Sequence, residues 1–173
     1  MTNRVAQFYK IPYDKFKRAW INTYGPCTDE HIKEIYDKIE LPKRATSGSM
    51  GYDFIAPKDI TLDSNQTEKV PTGIGIRFIE SGWGLFCLPR SSYGFKYRLQ
   101  LDNTVGVIDE DYCNADNGGH IFEQITNDSK TKKLLKIKQG ERFCQGIIIP
   151  YGITVDDDCE AVRTGGLGST GTK

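Results

Sequence analysis

The sequence predicts an all-β sandwich or barrel-like fold preceded by two short helices. Past Pro42 the apolar residues fall in short alternating segments, turn residues separate those segments, and only the first forty residues show helical spacing. In chain order, Pro12 can open a first helix that carries Tyr13, Phe16 and Trp20 on one face and stops at Gly25-Pro26. Thr28 can cap a second, with Asp29 and Glu30 at its positive end and Ile32, Ile35, Tyr36 and Ile39 at i, i+3, i+4, i+7 before Pro42. These helices read as packing elements, an extension over residues 1–40 laid on a domain of residues 41–173. Strands are expected in "GIGIRFI" (73–79), "GLFCLP" (84–89), "KLLKIK" (133–138) and "GIIIPYGI" (146–153). The polar stretch "TNDSKTKK" (126–133) reads as a hairpin turn with a solvated tip.

At 173 residues the chain fits one domain able to bury roughly 70% of its unfolded surface. Lys+Arg and Asp+Glu both number 23, so no global charge draws it to nucleic acid or an anionic membrane, and any anion site must be local. The first ten residues lack a signal-peptide core and "GIIIP" is far too short to span a bilayer, so a soluble cytoplasmic protein is expected. Five cysteines without CxxC spacing argue against a disulfide framework and a zinc site, and two histidines argue against a His-rich metal centre. Cys87 and Cys144, inside apolar runs, read as small core residues. A bound metal would be hard and held by oxygens.

Polar residues concentrate in five places. "SGSMGYDF" sets Asp53 after small residues and into a strand. "PRSS" gathers Arg90, Ser91 and Ser92, a guanidinium with hydroxyls and amides that suits a phosphate. "NTVGVIDEDY" alternates like a hairpin and carries Asn103, Asp109, Asp111 and Tyr112, and "GERFCQG" offers Arg142 and Gln145. The last residues, "GGLGSTGTK", have the composition of an anion-wrapping loop, but the order Thr172-Lys173 at the end does not open a helix as a P-loop requires. Taken singly, each has a plain structural reading: Arg142 an ion-pair partner, Asp109 and Asp111 turn acids, Tyr112 a half-buried aromatic, the tail a frayed end.

Taken in order, "SGSMGYDF", "PRSS", "NTVGVIDEDY", "GERFCQG" and "RTGGLGSTG" resemble the five motifs of the trimeric dUTPase family, from about residue 41 onward. The resemblance implies a jelly-roll protomer and a homotrimer that hydrolyses dUTP to dUMP and pyrophosphate with Mg2+, at sites shared between subunits. The glycine tail, about residues 160–173, would then close as an arm over a nucleotide already bound. By similarity Asp109 is the general base, Asp111 is structural, and Asp53 acts on the metal through water while also pairing with Arg142. Phosphate contacts would come from Arg90, Ser91, the Ser92 amide, Gln145, Arg163 and the Gly168-Ser169 amides. Asn103 and the backbone of Gly106, Val107 and Ile108 would read uracil, whose donor and acceptor at positions 3 and 4 are reversed in cytosine. Tyr112 beneath the sugar would leave no room for a ribose 2′-hydroxyl. No membrane or nucleic-acid partner is implied.

Three departures from the family pattern stand out. Leu167 replaces the usual phenylalanine that stacks over uracil, Arg163 lies one residue nearer the glycines than is common, and "CNADNGGH" (113–120) is a longer loop than the family's. A dCTP deaminase shares the implied fold but lacks the glycine arm and needs a glutamate aimed at water on cytosine C4. A nucleotide-sensing binding protein is the reading from another class, with the N-terminal helices and the 113–120 loop as its surface. Stacking on an aromatic face contributes about 0.5–1.5 kcal/mol beyond burial, so Leu167→Phe is expected to lower KM for dUTP roughly two- to tenfold with kcat little changed. Steady-state kinetics of the two chains checks this, and an unchanged KM would count against it.

Overall fold

A computed structural model describes residues 3–161, Arg163 and Gly165. Both expected helices form. α1 (Tyr13–Tyr24) buries Phe16 and Trp20, with Pro12 at the cap rather than inside the first turn. Gly25, at φ 89°, closes it by donating its N–H to Ile21 O. α2 (Asp29–Lys38) is capped by the Thr28 hydroxyl, which accepts from the His31 N–H, and it buries Ile32 and Ile35. No helix among the described residues is long and apolar enough to cross a membrane.

The first forty residues also hold a strand that helical spacing did not reveal. β1 (Ala6–Lys10) pairs antiparallel with β6 (Ile74–Phe78), Ala6 opposite Phe78 and Lys10 opposite Ile74. The segment is therefore laced into the sheets as well as packed on them, and Phe16, Trp20, Ile32 and Ile35 share one apolar cluster with Phe54, Val70 and Ile125.

The other strands are β2 (Lys43–Arg44), β3 (Tyr52–Ile55), β4 (Ile60–Leu62), β5 (Thr67–Pro71), β7 (Trp83–Pro89), β8 (Leu99–Leu101), β9 (Gly106–Ile108), β10 (Phe122–Asn127), β11 (Leu135–Ile137) and β12 (Arg142–Pro150); α3 (Ser91–Tyr97) and the 3-10 turn η1 (Glu110–Asn114) interrupt them. The main sheet runs β2-β3-β12-β7-β9, beside a β5-β10-β8 sheet and the pairs β1-β6 and β11-β4. Pairing is antiparallel between all the described strands. In the main sheet Leu85, Cys87, Cys144 and Ile108 turn inward and are buried, while Phe86, Leu88, Ile147 and Ile149 on the alternate positions stay half-buried. Burial pushes the Cys87 and Cys144 thiols well above their ordinary range, as inert core residues require.

Two expected hairpins prove to be crossings between sheets. The 126–133 turn joins β10, which pairs with β5 and β8, to β11, which pairs with β4. Its start is anchored inside: buried Asn127 donates from Nδ2 to Leu62 O (2.9 Å) and Lys133 O (2.8 Å) and accepts the Ser129 N–H. Likewise "NTVGVIDEDY" follows β8, paired with β10, and contains β9, paired with β7.

Glu123 on β10 is 2% exposed, and its Oε1 has no hydrogen-bond partner among the described residues. Burial pushes its carboxyl up to about 7, with the Cys87 thiol as a weak donor beside it. The folded chain thus keeps a proton that the unfolded chain releases near the ordinary glutamate value. The stability this proton confers is complete below about pH 4.3 and is lost as pH rises through about 7. Glu123→Gln is therefore expected to gain on the parent chain by roughly 2–3 kcal/mol between pH 5 and pH 8. Denaturant unfolding at the two pH values reads the difference directly; a gap that does not change with pH would contradict it.

Candidate active site

The two ends of β7 carry two separate polar clusters. At its C-terminal end Pro89 leads into Arg90, the cap of α3. Arg90 Nε lies 2.9 Å from Asp53 Oδ1, and Arg142 Nη1 lies 3.2 Å from Asp53 Oδ2, so each carboxylate oxygen takes one guanidinium. The Asp53 side chain is 11% exposed, whereas that of Arg142 is 51% exposed. This geometry follows from the sheet: β3 pairs with β12 so that Asp53 faces Gln145, and the ladder slips between Arg142 and Cys144. Gln145 Nε2 donates to Pro89 O at 3.3 Å. Gly51 makes room for it, since a Cβ there would stand 2.6 Å from Gln145 Oε1. Ser91 and Ser92 are exposed in the first turn of α3, where N–H groups have no intrahelical acceptor. The adjoining cleft, about 590 Å³, is also lined by Lys96 and Lys136, two cations that the sequence motifs did not single out.

At the other end, Ile108 faces Leu85, so Asp109 leaves the sheet beside Gly84. Six residues of β7 then separate it from Arg90, about 20 Å at 3.3 Å per residue. Among the described strands β9 is the outermost of its sheet, and no described strand pairs with the outer backbone edge of Gly106–Ile108. Asn103 is exposed nearby, its Nδ2 3.8 Å from where a Gly106 Cβ would stand, and such a Cβ would press on Cys87 at 3.0 Å. A cleft of about 740 Å³ opens here between Phe78, Phe86, Val107, Ile149 and Tyr151, with Asp109 and Asp111 at its rim.

Arg163 bridges both acids, through Nη2 to Asp109 and through Nε to Asp111 at 2.8 Å, and its guanidinium lies 5.6 Å from the Tyr112 ring centroid. The sequence assigns Arg163 to phosphate and Asp111 to a structural role; in the fold the guanidinium pairs with both carboxylates. Tyr112 is buried rather than half-buried, with its hydroxyl donating to His120 O at 2.9 Å. Leu167, Gly168 and Ser169 lie outside the described residues.

Sequence reasoning missed Glu110. Its Oε2 accepts from the Gly82 N–H (2.7 Å) and the Tyr151 hydroxyl (2.9 Å), pinning the turn that presents Asp109. The Gly82 N–H holds this carboxyl below the usual glutamate range. Three acids in succession at 109–111 gave no sign of which one faced inward.

Among the described residues no group of three or more His, Cys, Asp or Glu converges as a cation cage. Asp53, the oxygen donor held between two arginines, keeps lone pairs that they leave free.

Residues 37–171 match the dUTPase family model. The chain is 40% identical over 136 residues to a deoxyuridine 5′-triphosphate nucleotidohydrolase of Lactococcus lactis, covering 77% of this chain and 89% of that protein. It is 36% identical over 148 residues to one of Hahella chejuensis, covering 82% and 93%. Its fold is similar to the crystal structure of a dUTPase from Streptococcus mutans, with TM-score 0.58 and 35% identity over 68% of this chain and 90% of that one. A Staphylococcus bacteriophage 80alpha dUTPase, 18% identical, shares the fold over 94% of this chain and all of its own, with TM-score 0.61. The matched region contains both polar clusters, from Asp53 to Arg163, and the chain belongs to the dUTPase family.

Proposed function

We propose that the protein hydrolyses dUTP to dUMP and pyrophosphate at sites completed by a second copy of the chain, in a homotrimer. The observation that carries this reading is the setting of Asp109. In a chain of this family, it stands half exposed at the mouth of a cleft with both apolar and charged walls, directly after a backbone edge that no described strand pairs.

In this reading uracil pairs with the edge of Gly106–Ile108 and with Asn103, as it would pair with a base. A pocket of this kind rejects cytosine because the wrong pattern leaves buried groups unpaired. The deoxyribose lies on Tyr112, and close packing at uracil C5 excludes the methyl of thymine. A hard cation such as Mg2+ would enter with the nucleotide and would neutralise phosphate charge, with Asp53 the residue placed to meet it through water; a phage relative's structure is described as coordinating a structural Mg(II) ion. Arg90, Ser91, the Ser92 amide and Gln145 hold the phosphates, while Asp53 orients Arg90 and Arg142 and can accept from a metal-bound water. Asp109 takes a proton from water as its oxygen bonds to the α-phosphorus, and the bond from that phosphorus to the bridging oxygen breaks to release pyrophosphate. Arg163 must leave Asp109 for the base to act, and the triphosphate is the competing anion that draws it off, bringing Leu167, Gly168 and Ser169 over the nucleotide. Asp109 and Arg90 stand about 20 Å apart in one protomer, too far for one α-phosphate to meet both. The half-buried face of Phe86, Leu88, Ile147 and Ile149 supports the same conclusion, since another copy would cover it. The reaction draws on the free nucleotide pool, in keeping with the cytoplasmic setting expected from the sequence.

Asp109→Asn is expected to fold normally and to lose roughly 10²- to 10⁴-fold in pyrophosphate release from Mg-dUTP. Assays beside dTTP, dCTP and UTP check selectivity; absence of release from dUTP by the intact chain would overturn the reading. Sharing of the site has its own check. Asp109→Asn and Arg90→Ala, each inactive alone, should recover activity when co-assembled, with about a quarter of the sites drawing both intact residues from different copies. No recovery in verified mixed assemblies would mean that each chain builds its own site.

A further inference from the structure

The loop "CNADNGGH" at 113–120 and the N-terminal extension have no part in the reaction as described, yet they meet at a residue that does. We propose that Tyr9, Asn117 and His120 are positioning residues: the extension holds the loop, the loop holds Tyr112, and the fixed ring sets the space left for the sugar. This rests on the reading that the deoxyribose lies on Tyr112.

The contacts form a continuous chain. On β1, Tyr9 faces Gly75 of β6, where a Cβ would stand 2.5 Å from the Tyr9 ring, so the glycine lets the ring cross the sheet. The Tyr9 hydroxyl then donates to Gly118 O at 2.9 Å. From α1, Lys15 Nζ donates to Asp116 O at 2.9 Å. Gly119, at φ 69°, closes the loop on η1; a Cβ there would lie 2.7 Å from Cys113 Cα and 2.8 Å from the Tyr9 hydroxyl. Asn117 is the hub. Its Oδ1 accepts the Gly119 N–H (3.0 Å), and its Nδ2 donates to the Tyr112 hydroxyl (2.9 Å) and to His120 O (3.3 Å).

The Tyr112 hydroxyl donates in turn to His120 O, so the ring tip is held from two directions. His120 is itself anchored in the core. Its Nε2 accepts the Gly73 N–H at 2.8 Å, which leaves the ring proton on Nδ1, and the ring centroid lies 4.3 Å from that of Phe122 and 6.1 Å from that of Phe16 on α1. Burial pushes the imidazole down to about 3, so this acceptor persists at neutral pH. Discrimination against a 2′-hydroxyl depends on a gap smaller than one oxygen atom. Packing alone leaves a phenol ring free to tilt, whereas two directed bonds at its tip remove that freedom.

The test uses the full chain with Asn117→Ala and Tyr9→Phe, the second keeping the ring and removing one bond. Two quantities are read: the ratio of kcat/KM for dUTP to that for UTP, and hydrogen exchange of the backbone amides at 109–114. Both variants should exchange faster at 109–114, by roughly tenfold in Asn117→Ala and less in Tyr9→Phe, and the dUTP/UTP ratio should fall by a similar factor. A role in stability alone would slow both substrates equally and leave the ratio unchanged, which would overturn the proposal. Unaltered exchange at 109–114 in folded variants would overturn it independently of any activity. An intact chain that turns over neither nucleotide would sink the proposed function, and the exchange measurement would still decide whether the extension holds Tyr112.

Discussion

The ladder between β7 and β12 is the constraint on which the rest of the molecule hangs. It runs unbroken from Cys144 opposite Pro89 to Pro150 opposite Trp83. On its far side β12 brings β3 into register and with it Asp53, so that one carboxylate meets Arg90 and Arg142. On the near side β7 carries β9, whose end releases Asp109. A slip of one residue in this ladder would turn Leu85 and Cys87 to the surface and carry Arg90 away from Asp53. Gly146 guards the register: a Cβ at that position would stand 2.8 Å from Leu85 Cδ1 and 3.1 Å from Phe54 Cε2.

The ladder also separates charge. A chain with equal numbers of acids and bases has no long-range pull on a nucleotide, so affinity must come from local imbalance. At one end of β7 Asp53 faces two guanidiniums, and Lys96 and Lys136 line the adjoining cleft with one further acid, Glu141. At the other a single guanidinium faces two carboxylates. The first cluster has cation to spare for a triphosphate. The second would repel one; in the proposed reaction it gives up Arg163 and takes a proton from water. Asp53 is the more buried of the acids, and leaving it without either arginine would strand a charge in a poorly solvated place.

Features governed by neighbours in sequence were legible before any coordinates. The Thr28 cap, the acids behind it and the spacing of Ile32 and Ile35 all act within one helix turn, and α2 formed as expected. The alternation in β6, β7 and β12 is equally local. β1 escaped notice because its five residues mix burial without clear alternation and its partner lies more than sixty residues away. Turn composition at 126–133 announced a turn but could not say that its flanking strands join different sheets. At the site, the Asp53–Arg142 pair followed from family resemblance. Arg90 joining it, Glu110 pinning its turn and Asn117 gripping Tyr112 are tertiary facts with no local signature. His120 was weighed only as a metal ligand, whereas its work is done by one ring nitrogen and one carbonyl.

A free strand edge beside a half-buried apolar face is ordinarily a hazard, because either can recruit another chain without specificity. Here the edge is three residues long and runs directly into Asp109, Glu110 and Asp111, whose charges oppose continued strand pairing. The apolar face of Phe86, Ile147 and Ile149 carries no acid on its own two strands, and Asp109 and Asp111 stand only at the rim of the cleft that Phe86 and Ile149 line. Covering that face with a second copy removes apolar area from water, and in the proposed arrangement the same step brings a foreign Arg90 toward Asp109. Hydrophobic burial then assembles the site as well as the oligomer, and activity and stability acquire a common dependence on protein concentration.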